Sequence, residues 1–266
     1  MKDLQQLCNG VIKCAKEAGV FIRNQRKSFN TELVEYKGTN DLVSYVDKTA
    51  EQMLVDRLRI LFPEAGFITE ENTAGSAKQD YHWIIDPLDG TTNFVHGIPC
   101  YCVSVALTHH QDVVLGVIYE INLDECFYAW KNGGAWLNGD RIHVSNIPSL
   151  SKALLATGFP YTNFSRMDEY MKVFHYCMEN THGLRRLGSA AVDMAYVACG
   201  RFEAFFEYGL NAWDIAAGCC IVSEAGGKVS DFSGGENFLF GKEIIASNAG
   251  CFQEFLEVVK EKFDNK

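Results

Sequence analysis

Between residues 81 and 92 the chain sets a buried strand directly against two carboxylates. The apolar run Trp83-Ile84-Ile85 suits a strand inside a core, and it stops abruptly at Asp86. Pro87 holds Asp86 to extended geometry, so the strand, Tyr81 to Ile85, is predicted to end there and the chain to turn. Asp89 follows, then Gly90, Thr91 and Thr92. A turn through Pro87-Leu88 brings the two carboxylates to one locus, and Asp89 is placed to cap a helix beginning near Gly90. Backbone N–H groups at such a helix start bind phosphate oxygens. Hard oxygen ligands beside an anion-binding turn point to metal-assisted phosphate chemistry. Taken alone, a plain Asp-capped turn accounts for the same residues equally well.

Around this segment helical and strand patterns alternate. Leu4, Leu7, Cys8, Val11, Ile12, Ala15, Ala18 and Ile22 follow helical spacing, and Arg23 to Asn40 reads as a helix end and loop. A second helix is predicted over Asp47–Leu61, stopped by Phe62-Pro63. Gly66-Phe67-Ile68 is a short strand. Val103–Leu107, Val113–Tyr119 and Cys126–Trp130 form an antiparallel meander, with turns at Asn132-Gly133 and Asn138-Gly139. Further strands are predicted at Ala153–Thr157, Phe202–Glu207, Lys228–Phe232 and Glu243–Ser247. Helices are predicted at Met167–Asn180, Ala190–Cys199, Trp213–Ala225 and Phe252–Phe263. Helices and strands mixed throughout imply layered α and β with at least one substantial sheet.

Composition removes several alternatives. A net charge of −10 disfavours nucleic-acid binding, which depends on clustered Lys and Arg. Ten cysteines without a CxxC pair read as free thiols in a reducing cytoplasm rather than disulfides or zinc ligands. The N-terminal segment lacks a signal-peptide core, and no apolar run approaches the ~18 residues of a membrane span. With 266 residues the chain is long enough for a sizeable core.

Other acidic residues lie at element ends. Glu70 and Glu71 close the 66–68 strand, where adjacent Glu residues are ordinarily solvated, yet pairing of that strand with the Asp86 strand, parallel or antiparallel, would place one of them beside Asp86. Asp214, in Asn211-Ala212-Trp213-Asp214, opens a small-residue helix, where a cap and a metal ligand are compatible roles. Asp41 and Asp47 flank Leu42–Val46, and either serves as a cap.

The blocks D-P-L-D-G-T-T-N-F-V-H (86–96) and W-D-I-A-A-G (213–218) resemble the inositol monophosphatase family. So do K-G-T-N-D-L-V-S-Y-V-D (37–47), F-I-T-E-E-N (67–72), G-G-A-W-L-N-G (133–139) and R-R-L-G-S-A-A (185–191), in the same order and nearly end to end. The resemblance implies an α/β five-layered αβαβα sandwich. One domain would span 1–266, with two intimately packed halves dividing near residue 150, and the protein would be a cytoplasmic homodimer.

It further implies a lithium-sensitive, Mg²⁺-dependent phosphatase with two to three ions. Glu70, Asp86 and the carbonyl of Leu88 would hold one Mg²⁺, and Asp86, Asp89 and Asp214 a second. A third would lean on Glu70, which thereby joins the catalytic group. Asp47 and Thr91 would position and deprotonate the attacking water, and Gly90 and Thr91 would donate amides to phosphate. Gly188, Ser189, Ala190, Glu207 and Asp214 would contact the alcohol portion. The substrate implied is a small phosphate ester, foremost myo-inositol 1-phosphate. Relatives acting on adenosine bisphosphate often carry Lys at Thr92, and those acting on histidinol phosphate Arg. Fructose 1,6-bisphosphate or a nucleotide bisphosphate is the rival substrate, and a non-catalytic binding role the rival class. Thr69, often Gly in the family, and Tyr45-Val46, often smaller or polar, depart from its pattern without removing a ligand.

Overall fold

The computed structural model describes residues 3–29, 34–38, 41–74 and 79–263. Helix α1 (Leu4–Arg26) starts at Asp3, whose carboxylate accepts from the amides of Gln5 and Gln6, and ends with Arg23 and Arg26 at its negative pole. The segment from Arg23 is therefore not simply helix end and loop: after α1 come β1 (Val34–Gly38) and β2 (Asp41–Ser44), an antiparallel pair. The pair was hidden because its strands are five and four residues long, so the brief alternation Val34-Glu35-Tyr36-Lys37 does not stand out in a polar, mixed-charge stretch. Thr39 and Asn40 of the 37–47 block lie outside the described residues. Helix α2 (Tyr45–Leu61) has Ser44 at its N-cap, and Asp47 shares the capping as the acid of a capping box, accepting from the Ser44 amide at 2.9 Å.

A seven-stranded sheet follows in strand order β3-β4-β5-β6-β7-β8-β9. Its strands are β3 (Gly66–Thr69), β4 (Tyr81–Asp89), β5 (Cys102–His109), β6 (Asp112–Glu120), β7 (Glu125–Trp130), β8 (Gly134–Leu137) and β9 (Asp140–Ile142). Only β3 and β4 run parallel; the remainder is an antiparallel meander. The short helix α3 (Thr91–His96) leaves the end of β4. A second, five-stranded sheet has the order β11-β10-β12-β14-β13. It comprises β10 (Leu154–Thr157), β11 (Gly183–Arg185), β12 (Ala204–Tyr208), β13 (Lys228–Ser230) and β14 (Glu243–Ser247). Helices α4 (Met167–Asn180), α5 (Ala190–Ala198), α6 (Ala212–Glu224), α7 (Phe238–Gly241) and α8 (Phe252–Phe263) complete the fold.

Alternation along the strands builds the layers, because successive side chains leave opposite faces of a sheet. Trp83 and Ile85 enter one core with Val11, Ile22, Leu54 and Leu58 of α1 and α2. Ile84 between them enters a second core with α5 and α6. Phe205 reaches that same middle core from the second sheet, whereas Phe206 faces α4 and α8. The order is thus helices, sheet, helices, sheet, helices: the five-layered αβαβα sandwich. Each fully buried large apolar side chain contributes about 1.5–3 kcal/mol.

The middle layer is thin because its residues are small. A Cβ at Gly116 on β6 would fall 2.5 Å from the carbonyl oxygen of Ala217 on α6, and one at Gly218 would fall 2.7 Å from Cβ of Met194 on α5. All ten cysteines are free. Among the described residues, no helix is long and apolar enough to cross a membrane.

Candidate active site

Parallel pairing of β3 with β4 delivers two acids side by side. Thr69 is in register with Ile85, and the amide of Glu70 donates to the carbonyl of Ile85 at 3.3 Å. Glu70 and Asp86 therefore emerge together at the ends of adjacent strands. Strand β4 does not stop at Asp86 as its proline suggested. It runs on to Asp89 through a break in register: Asp86 pairs with Ser104 but Asp89 with Cys102, so one residue is extra. Pro87 is tolerated at this irregularity, and Oδ1 of Asp86 accepts from the amide of Leu88 across it at 2.9 Å. The turn expected to close the two acids together is this bulge within the strand.

Asp89 is not the cap of α3 either. Gly90 precedes α3 in the left-handed region, with φ +96°, and no side chain caps the helix. Asp89 instead reaches the N-terminus of α5, where its Oδ2 accepts from Oγ of Ser189 at 2.6 Å and the amide of Ala191 at 2.7 Å. Asp214 sits in the first turn of α6 behind the cap residue Asn211, whose amide donates to Oδ2 at 2.6 Å. Two helix N-termini and one strand end thereby aim carboxylates at one point. Asp86, Asp89 and Asp214 each offer an oxygen within 4.8 Å of the others.

Without a cation such crowding opposes ionisation. Burial pushes the Asp86 carboxyl well up, and the Glu70, Asp89 and Asp214 carboxylates add to the shift. Burial raises Asp89 to about 6, against the opposing hydrogen bonds from Ser189 and the α5 amides. Asp214 is raised by burial and by Asp89. Three acidic oxygens that resist being charged together are what a divalent cation relieves, so the residues present fit one.

Beside them lies a second pair. The Thr91 hydroxyl points to Oδ1 of Asp47 at 2.8 Å and to the carbonyl of Leu88 at 2.9 Å. Asp47 is buried in the first turn of α2, with Oδ2 accepting from the amide and hydroxyl of Ser44. Burial raises its pKa while the Ser44 and Thr91 donors hold it down.

One cavity gathers these groups. Glu70, Asp86, Leu88, Asp89, Gly90, Thr91 and Asp214 line it, as do Gly188, Ser189, Ala190 and Glu207. Asp47 stands behind Thr91. Glu207 is not a solvated strand end: it is 5% exposed, and burial together with the charge of Asp89 raises its pKa to about 8 against the lowering influence of Arg186.

A profile of the inositol monophosphatase family matches residues 3–262. The chain belongs to the inositol monophosphatase family. Among relatives in the family, the Nus factor SuhB of Pseudomonas aeruginosa is 41% identical over 97% of each chain. The inositol-1-monophosphatase of Mesorhizobium japonicum is 39% identical over 96% of each. The crystal structure of the extragenic suppressor protein suhB from Bartonella henselae superposes with a TM-score of 0.90 at 37% identity, covering 95% of this chain and 98% of that one. The Thermotoga maritima IMPase superposes at 0.85 and 40% identity, covering 95% and 96%.

This inositol monophosphatase family member also carries cavity residues that its motifs did not single out. Asp193 on α5 is buried and lines the cavity, with its pKa pushed well up by burial and by Glu207. Arg186 and Tyr161 join across the cavity wall, Nη2 donating to the phenol oxygen at 3.1 Å. Asp193 follows Asp89's partner Ser189 by one helical turn, so helical spacing was the available signal for it. Nothing in the sequence marked Tyr161, which is brought in by tertiary packing.

Proposed function

We propose that this protein hydrolyses a phosphate monoester with Mg²⁺, foremost myo-inositol 1-phosphate to myo-inositol and phosphate. The convergence of Asp86, Asp89 and Asp214 beside the Asp47–Thr91 pair carries the reading. We assign Glu70, Asp86 and the Leu88 carbonyl to one Mg²⁺, and Asp86, Asp89 and Asp214 to a second, with Glu70 serving a third. Oxygen-only donors match the preference of that ion. When bound, these ions acidify water and neutralise charge on the entering and leaving oxygens of an in-line displacement.

The protein's own groups then divide the work. Thr91 donates its hydroxyl proton to Asp47, which leaves its oxygen lone pairs to accept from the attacking water. Asp47, held by two Ser44 donors, keeps that hydroxyl oriented and draws the proton away from the water through it. The amides of Gly90 and Thr91 are assigned to phosphate oxygens. Glu207, with Gly188, Ser189, Ala190 and Asp214, is assigned to the alcohol. A carboxyl group that keeps its proton both donates and accepts, which suits neighbouring hydroxyls.

We take residues 1–266 as one domain whose halves divide near residue 150, acting as a lithium-sensitive homodimer. Free thiols support a cytoplasmic setting. Several relatives are named as a Nus factor; the intact acidic set of this chain supports catalysis whatever else such proteins do. The test is phosphate release across a panel of inositol 1-phosphate, fructose 1,6-bisphosphate and a nucleotide bisphosphate, with Mg²⁺ and with EDTA. Faster turnover of another ester overturns the substrate. Release from none, or release unaffected by EDTA, overturns the activity.

A further inference from the structure

Glu51 lies one helical turn after Asp47 on α2 and is fully buried, yet neither phosphate nor cation chemistry has been assigned to it. Its carboxylate is spread over a single segment of chain. Oε2 accepts from the amide of Glu71 at 2.8 Å. Oε1 accepts from the amide of Thr73 at 2.9 Å and from Oγ1 of Thr73 at 2.8 Å. A buried carboxylate is tolerated only where hydrogen bonds replace its water.

The segment it holds begins at the proposed ligand Glu70. On one side, the Glu70 amide is tied to Ile85 of β4. On the other, the Glu71 amide is tied to Glu51. The backbone is thus fixed on both flanks of the Glu70 Cα, once by the sheet and once by α2. The same helix holds the other side of the site, since Asp47 receives the Thr91 hydroxyl. Positions four apart share a helix face, so α2 presents two carboxylates one turn apart that brace two separate pieces of the cavity wall.

We propose that Glu51 is a positioning residue that sets the affinity of the site for Mg²⁺ by holding the Glu70 backbone in place. This rests on the assignment of Glu70 and Asp86 as ligands. A glutamine at position 51 offers one oxygen and one NH₂ group, and the NH₂ cannot accept from an amide. Glu51→Gln therefore releases either Glu71 or Thr73 while preserving size. Thr73→Val removes only the hydroxyl contact.

The experiment titrates the full-length protein with Mg²⁺ alone by calorimetry, without substrate, and separately measures kcat for inositol 1-phosphate against Mg²⁺ concentration. The Mg²⁺ dissociation constant is expected to rise about 10- to 100-fold in Glu51→Gln. Thr73→Val should give a smaller rise, and kcat at saturating Mg²⁺ should stay at the wild-type value in both. A simple packing defect would instead lower the melting temperature without displacing the Mg²⁺ titration. Wild-type affinity in both variants overturns the proposal and leaves the ligand assignment standing. A wild-type protein that does not bind Mg²⁺ overturns the ligand assignment and the proposal with it. Should Glu51→Gln not fold, as judged by circular dichroism, Thr73→Val decides: an unshifted titration there overturns the proposal.

Discussion

The hydroxyl of Thr91 donates to Oδ1 of Asp47 at 2.8 Å across 44 residues of chain, and Ser44 occupies Oδ2 of the same carboxylate. Asp47→Asn keeps the shape but cannot accept on both sides. A drop in kcat of about 10²- to 10⁴-fold is expected, the range for a lost general base, with KM little changed. A kcat close to wild type would show that the pair does not handle the proton.

Asp89 and Asp214 answer to two helix N-termini, and both oppose each other's charge. Asp89→Asn and Asp214→Asn should abolish phosphate release with an unchanged circular dichroism spectrum. Thermal unfolding gives a second readout. Mg²⁺ at a hundred times its dissociation constant stabilises a binding protein by about 2.7 kcal/mol. The share of that rise due to the second ion should be lost in both variants, while their metal-free forms unfold no earlier than wild type. An undiminished Mg²⁺-dependent shift in either variant overturns its place in the ligand set.

Glu207 supplies a pH test of the metal-free protein. Its folded pKa of about 8 lies above the ordinary carboxyl value, so the folded state keeps a proton that the unfolded chain has released. Stability on this account is fully present below the ordinary carboxyl range and is lost as pH rises through about 8. Asp86 and Asp214 shift in the same direction, so the comparison is made against Glu207→Gln in EDTA. The variant should melt higher than wild type at about pH 9 and match it at about pH 4. A gap that does not grow with pH would mean that Glu207 titrates normally.

Gly90 turns the chain out of β4 with φ +96°, where an added Cβ would lie 3.0 Å from the Cys100 carbonyl oxygen and 3.1 Å from Cβ of Tyr101. Gly90→Ala is expected to cost at least ~1–2 kcal/mol from the left-handed conformation alone. It should also reduce turnover by displacing the Thr91 amide. Chemical denaturation and phosphate release measure the two effects, and a stability equal to wild type would mean that the turn relaxes freely.

The parts of the fold with one dominant period were legible. Met167–Asn180 and Phe252–Phe263 have clear amphipathic spacing, and both are helices with those bounds. Glu243–Ser247 is likewise a strand as read. Gly183–Arg185 is an edge strand of three residues, too short to show alternation. Among the acidic residues of the cavity, Asp193 inside α5 was not visible. Glu70 and Asp86 were visible because they follow apolar strand runs, and Asp214 because it opens a small-residue helix. Their partners were not: Asp89 reads as the cap of the helix that follows it, and only the tertiary fold shows that it serves α5 instead. Glu51 was hidden for the opposite reason, since an acid in mid-helix looks like any solvated position until the chain near Thr73 covers it.

Gly116 stands outside the cavity wall, in the middle of β6, yet it sets how closely α6 lies on the first sheet. That helix carries Asp214, whereas Asp86 belongs to the sheet itself. The spacing of the acidic cluster is therefore gauged by one hydrogen atom where other residues have a methyl group. Substitutions that silence such a protein should arise there, among residues that touch neither ion nor ester. Screens confined to the cavity lining would pass over them.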